Sequence, residues 1–65
     1  MKILLGEIMY KRNLTIRQVS ILTDIPKSSI ENIMSGKTDP RLGTLERLAK
    51  GLNIRISDLY DSPFK

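Results

Sequence analysis

The chain contains no cysteine and no histidine. The first absence excludes a disulfide framework and thiolate metal sites, and the second removes the commonest metal ligand and the commonest general base. Long apolar runs are missing as well. The N-terminal stretch MKILLGEIMYKR has one early lysine and only three consecutive apolar residues before Gly6 and Glu7. That is too short for a secretion signal or a membrane span, so the expected location is the cytoplasm, with no membrane partner. With no low-complexity tract, internal repeat or linker, the 65 residues read as one domain, 1–65. Serines are present, but none stands in a pattern with a histidine or lysine that would activate it. No enzyme, metal site or cofactor is expected.

What is present is basic charge: 11 Lys+Arg against 7 Asp+Glu, a net +4, with a pI near 9.8. Such a balance suits a domain that meets a polyanion, and it also suits simple solubility. A chain of this size buries only ~60% of the surface that its unfolded form exposes. Little is spare for a deep pocket, so the apolar residues that recur at helical spacing are needed for the core.

Those residues outline an all-α bundle of five short helices. Leu4, Leu5, Ile8 and Met9 place a first helix over about 2–12, with Lys11 and Arg12 in its last turn, where cations suit the negative end of the dipole. Asn13 is a stop of the left-handed kind, and Thr15 caps a second helix over about 16–23, with Ile16, Val19 and Leu22 facing inward. Asp24 tolerates a left-handed turn and Pro26 has its φ preset for a helix start. A third helix over about 27–35 follows, ending at Gly36. Thr44 can cap a fourth helix whose core positions are Leu45, Leu48, Ala49 and Leu52, ending at Asn53. Ser57 can cap a short fifth helix with Leu59 and Tyr60. Strand alternation is confined to NIRIS, too short for a sheet.

A short connection of this kind between the second and third helices fits a helix-turn-helix unit, and it also fits other small helical domains. The register of the whole chain distinguishes them. LTIRQVS, DIPKSSIENI, SGKTDP and TLERLAKGLNIRISDLY, with Gly36, Pro40 and the LxxLAKGLNI stretch in matching places, resemble the phage-repressor and Cro helix-turn-helix family, also called the xenobiotic-response-element (XRE) family. The resemblance implies a lambda-repressor-like, double-stranded-DNA-binding transcriptional regulator, a repressor, with the third helix as recognition helix. A protein-interaction module on the same fold, such as an antitoxin or adaptor, is the alternative. It would be marked by large apolar anchors on that helix.

Departures from the family pattern are informative. Ile16 stands where relatives often have a DNA-contacting glutamine, Asp24 where they have the turn glycine, and Ser20 where they have alanine. Met9 and Met34 stand where many relatives carry a buried Arg–Glu pair. Losing one member of such a pair would strand a charge at ~3–5 kcal/mol, whereas losing both is often neutral or stabilising. Met9 and Met34 are therefore expected to touch, within about 4.5 Å.

With Ile30 and Ile33 facing the core, the third helix exposes Lys27, Ser28, Glu31 and Asn32. The resemblance assigns base reading to Lys27, Ser28 and Asn32. Lys27 can donate to guanine and Asn32 can bond adenine bidentately, a good bidentate pair discriminating by ~1–3 kcal/mol. Glu31 can accept from cytosine N4 or pair with Lys27, and the internal pair is favoured. Phosphate contacts are expected from Thr15, Arg17 and Gln18 at the start of the second helix. In the loop where relatives hold the backbone, they are expected from Ser35, Lys37, Thr38 and Arg41, with Asp39 turned away.

Relatives bind as two-fold dimers on half-sites ~34 Å apart. A homodimer through Ile56, Tyr60 and Phe64 is expected on that ground. Those residues could instead close the monomer, with Leu59 and Tyr60 completing the core and Phe64 folded over the first helix. The register takes up the chain, so control is expected from outside it, including from a regulatory protein partner.

Overall fold

The chain turns where its sequence supplies residues that tolerate a left-handed backbone: Asn13 (φ 56°), Asp24 (φ 58°), Gly36 (φ 79°) and Asn53 (φ 57°). The computed structural model describes residues 1–64, and in it each of these four positions ends a helix. The elements are β1 (Lys2–Ile3), α1 (Leu5–Arg12), α2 (Ile16–Thr23), α3 (Lys27–Met34), α4 (Leu42–Leu52), a 3-10 turn (Ile56–Asp58) and β2 (Tyr60–Asp61). Three of the four helices close with a bond from the residue after the left-handed position back to the carbonyl five residues earlier. These bonds are Leu14 N–H to Met9 O at 2.8 Å, Lys37 N–H to Asn32 O at 3.0 Å and Ile54 N–H to Ala49 O at 2.9 Å. Each satisfies a carbonyl that the helix itself leaves open.

The core is built from Leu5 and Met9 of α1, Val19 of α2, Ile25 of the turn, Ile30 and Ile33 of α3, Leu45, Leu48, Ala49 and Leu52 of α4, and Leu59. All four core positions expected of the fourth helix are buried. Helices α2 and α4 lie close together because Gly51 has no side chain. A Cβ there would stand 2.6 Å from the Leu22 carbonyl oxygen and 2.7 Å from Thr23 Cγ2. Arg12 extends from the end of α1 to donate from Nη1 to the Leu52 carbonyl. Its charge thus sits at the negative end of α4, as well as at that of its own helix.

Several expectations are corrected. Residues 2 and 3 form a strand in place of the first helical turn. They pair antiparallel with β2, Lys2 opposite Asp61 and Ile3 opposite Tyr60, and the Leu4 N–H donates to the Leu59 carbonyl at 2.7 Å. The partner strand lies at the far end of the chain, so no local pattern announces it. The fifth helix is a 3-10 turn, and among the described residues the bundle has four α-helices. The Asp58 carboxylate accepts from the Arg55 N–H at 3.1 Å, the capping place assigned to Ser57. Helix α4 starts at Leu42, two residues before Thr44, and has no side-chain cap.

Leu22 is 51% exposed and Thr23 is buried in its stead. The Thr23 hydroxyl is satisfied by donating to the Val19 carbonyl at 2.6 Å. Met9 lies in the core at 5% exposure, while Met34 is 42% exposed. Met34 extends toward α1, its Cε 3.9 Å from where a Cβ on Gly6 would stand. Among the described residues, no helix is long and apolar enough to cross a membrane.

Candidate nucleic-acid interface

The candidate surface starts at the turn between α2 and α3. The Asp24 N–H bonds the Ser20 carbonyl at 2.9 Å, and the Ser20 hydroxyl donates to the Ile25 carbonyl at 2.6 Å, tying the turn to the helix before it. Ile25 is buried, and Pro26 (φ −57°, ψ 144°) supplies the N-cap of α3. The amide that proline lacks is one that would have no helical partner there. The serine at a position where relatives carry alanine thus has a structural use, which its small polar side chain next to a tight turn could have suggested.

Anchored by Ile30 and Ile33, α3 turns Lys27, Ser28 and Glu31 to solvent, with Ser29 and Asn32 half-buried at its margin. The expected Lys27–Glu31 ion pair is not formed. Among the described residues the only ion pair is Lys2 Nζ to Glu7 Oε1 at 3.6 Å. Lys27 therefore presents donors, and Glu31 one turn later presents acceptors, with neither engaged by the other.

Asn32 is less projecting than its neighbours. It borders a recess with Ser29, Thr38, Arg41 and Thr44. Its backbone carbonyl accepts from the N–H groups of Lys37 and Thr38 and from the Ser35 hydroxyl at 3.3 Å. This one carbonyl holds the following loop against α3. Ser35, Lys37, Thr38, Asp39 and Arg41 are all exposed on that loop. The start of α4 lies on the same side, its first N–H groups free of any side-chain cap.

At the opposite end of the motif, Thr15 and Gln18 form a capping box. The Gln18 N–H donates to Thr15 Oγ1 at 3.1 Å, and the Thr15 N–H donates to Gln18 Oε1 at 2.8 Å. Two of the amides that open α2 are thereby satisfied internally. The donors left for an anion are the Ile16 and Arg17 amides, the Gln18 side-chain NH₂ and the exposed Arg17 guanidinium. Ile16 itself is turned partly inward and packs against the core.

The residues assigned to a dimer surface divide in two. Ile56 and Tyr60 are half-buried against the core, while Phe64 is 95% exposed. Phe64 is therefore not folded over α1, and Leu59, fully buried, completes the core. Among the described residues no three acidic, histidine or cysteine side chains converge as metal ligands would.

The arrangement is a small helical scaffold that displays one short polar helix, flanked at both ends by donors and cations. Its chemistry is hydrogen bonding to a polyanion's backbone and to groups in a groove. Comparison with curated proteins and with solved structures gives no match. A family does match: the Cro/C1-type helix-turn-helix (HTH) DNA-binding domain, over residues 5–65. The chain belongs to the Cro/C1-type HTH DNA-binding family, a DNA-binding and non-enzymatic domain.

Proposed function

We propose that the protein is a sequence-specific transcriptional regulator, acting as a repressor inside the cell at the nucleoid, and that α3 is its recognition helix in the major groove. The observation that carries this reading is the outward face of α3: Lys27, Ser28 and Glu31 exposed, Asn32 beside them, and no ion pair within that face. Polar side chains free of internal partners are what base edges require. A module for protein partners would show large apolar anchors there instead. Only Met34, at the end of α3, is apolar and exposed.

In this reading Lys27, Ser28, Asn32 and Glu31 face bases. Arg17 and Gln18 at the start of α2 hold one stretch of phosphates, with Thr15 as the cap that positions them. Ser35, Lys37, Thr38 and Arg41 hold another. The protein acts as a homodimer through the segment of Ile56, Tyr60 and Phe64, and represses by occupying a site that polymerase needs. A regulatory protein partner would act by covering the DNA face.

The experiment is selection of bound sequences from random duplexes at moderate salt, repeated with Lys27→Ala, Asn32→Ala and Lys37→Ala. The wild type should enrich a two-fold-symmetric motif. The first two variants should each relax one position per half-site, whereas Lys37→Ala should weaken all duplexes about equally and reduce the salt slope by about one. Enrichment of no motif by the wild type would overturn the regulator reading.

A further inference from the structure

The outward face of α3 carries two charges, Lys27 and Glu31, both exposed and not paired with one another. Asn32, the other side chain with strong hydrogen-bonding capacity, sits half-buried beside the loop that its carbonyl holds. We propose that Glu31 is a specificity-determining residue, selecting a cytosine in the operator half-site and rejecting the other bases at that position. This rests on the reading of α3 as the recognition helix.

An ionised carboxylate accepts hydrogen bonds and donates none. In the major groove, guanine offers two acceptors, and thymine an acceptor and a methyl group. Donors come only from the amino groups of cytosine N4 and adenine N6. Adenine sets the N7 lone pair beside its amino group, where it opposes the second carboxylate oxygen, while the same side of cytosine is a C–H. Cytosine is the base that fits.

A carboxylate on this face is also repelled by every phosphate around it, whatever the sequence. The cost is offset only where an amino group meets it. Glu31 therefore creates specificity mainly by weakening binding to all other duplexes. An internal pair with Lys27 would cancel this, since it would neutralise the acceptor before DNA arrived.

The spacing adds a constraint. Residues 27 and 31 are separated by about 6 Å along the helix axis at 1.5 Å per residue. With α3 lying along the groove and base pairs rising about 3.4 Å, the cytosine belongs about two base pairs from the guanine read by Lys27.

The test compares sequence selection by the wild type, Glu31→Gln, Glu31→Ala and Lys27→Ala. It adds fluorescence-anisotropy titration of a labelled duplex of scrambled sequence. The expected result is a wild-type cytosine position whose preference falls about tenfold or more in both Glu31 variants, the other positions being kept. Both should bind the scrambled duplex roughly two- to fivefold more tightly, because one repulsive charge is gone. Lys27→Ala should lose the guanine position and keep the cytosine.

If the wild type yields a motif and the Glu31 variants yield the same one with unchanged scrambled-duplex affinity, the assignment of Glu31 is overturned and the recognition helix stands. If the wild type yields no motif, both readings fall. Glu31 lies outside the core, and a circular dichroism spectrum matching wild type confirms that each variant is folded.

Discussion

Gly51 shows how one atom sets the distance between two helices. Its missing Cβ is what lets α2 approach α4, for a methyl group there would overlap the Leu22 backbone, which cannot swing aside as a side chain could. Gly51→Ala should destabilise the domain by about 1–3 kcal/mol in urea denaturation, the usual cost of overpacking. Gly43→Ala, where an added Cβ meets nothing within 4 Å, should be neutral or stabilise by up to about 1 kcal/mol through helix propensity. The pair of methionines sets a second test. Met9→Arg puts a guanidinium at a site only 5% exposed and should cost about 3–5 kcal/mol if it finds no partner. Met34→Glu, added to it, should recover most of that loss in the same measurement. A double variant no more stable than Met9→Arg alone would show that the two positions do not meet.

At the scale of the element, the helix ends were the most legible feature of the sequence. Asn13, Asp24, Gly36 and Asn53 are residues that accept a left-handed backbone, and each occupies one. The start of α2 was legible too, because Thr15 is a capping residue placed just before Ile16; that Gln18 closes a capping box with it was not read from the sequence. Thr15→Ala should cost about 1 kcal/mol of stability, and Thr15→Ser, which keeps the hydroxyl, should restore most of it; thermal melts of the two variants check this. The start of α4 was misplaced for a related reason. Thr44 is a good cap by type, but the helix begins earlier, at Leu42, with no side-chain cap. A capping residue permits a boundary at its position without requiring one. The inward face of α2 was misjudged at Leu22, since helical period alone does not say how wide the buried stripe is. Close packing on Gly51 turns Thr23 inward and leaves Leu22 half in solvent.

For the whole molecule, the proposed assembly is tested at Phe64. Its side chain is 95% exposed, so Phe64→Glu should leave the melting temperature unchanged within error. In the proposed dimer it should weaken self-association by about tenfold or more, as loss of a buried aromatic anchor does. Sedimentation across a range of concentrations measures this. Equal association by wild type and variant would remove Phe64 from the interface. The candidate DNA surface was legible in part. Lys27 and Ser28 stand exposed as their helical positions require, because Ile30 and Ile33 fix the orientation of α3 from within the same eight residues. The half-burial of Asn32 was not legible, for it depends on a loop folded back on its carbonyl.

The sequence by itself determined where helices stop, which side of α3 is buried, and the basic balance that suits a DNA partner. All of these follow from residue type and from neighbours within a turn or two, where backbone preference and side-chain spacing act directly. Only the tertiary structure decided the rest. It pairs β1 with β2 from opposite ends of the chain, and it places Arg12 on a carbonyl 40 residues away. It also makes any side chain at position 51 costly and leaves Lys27 and Glu31 unpaired with each other. The physical reason is common to these cases. Each depends on which surfaces come into contact or stay in water once the helices pack, and local sequence preference carries no information about a partner that is remote along the chain.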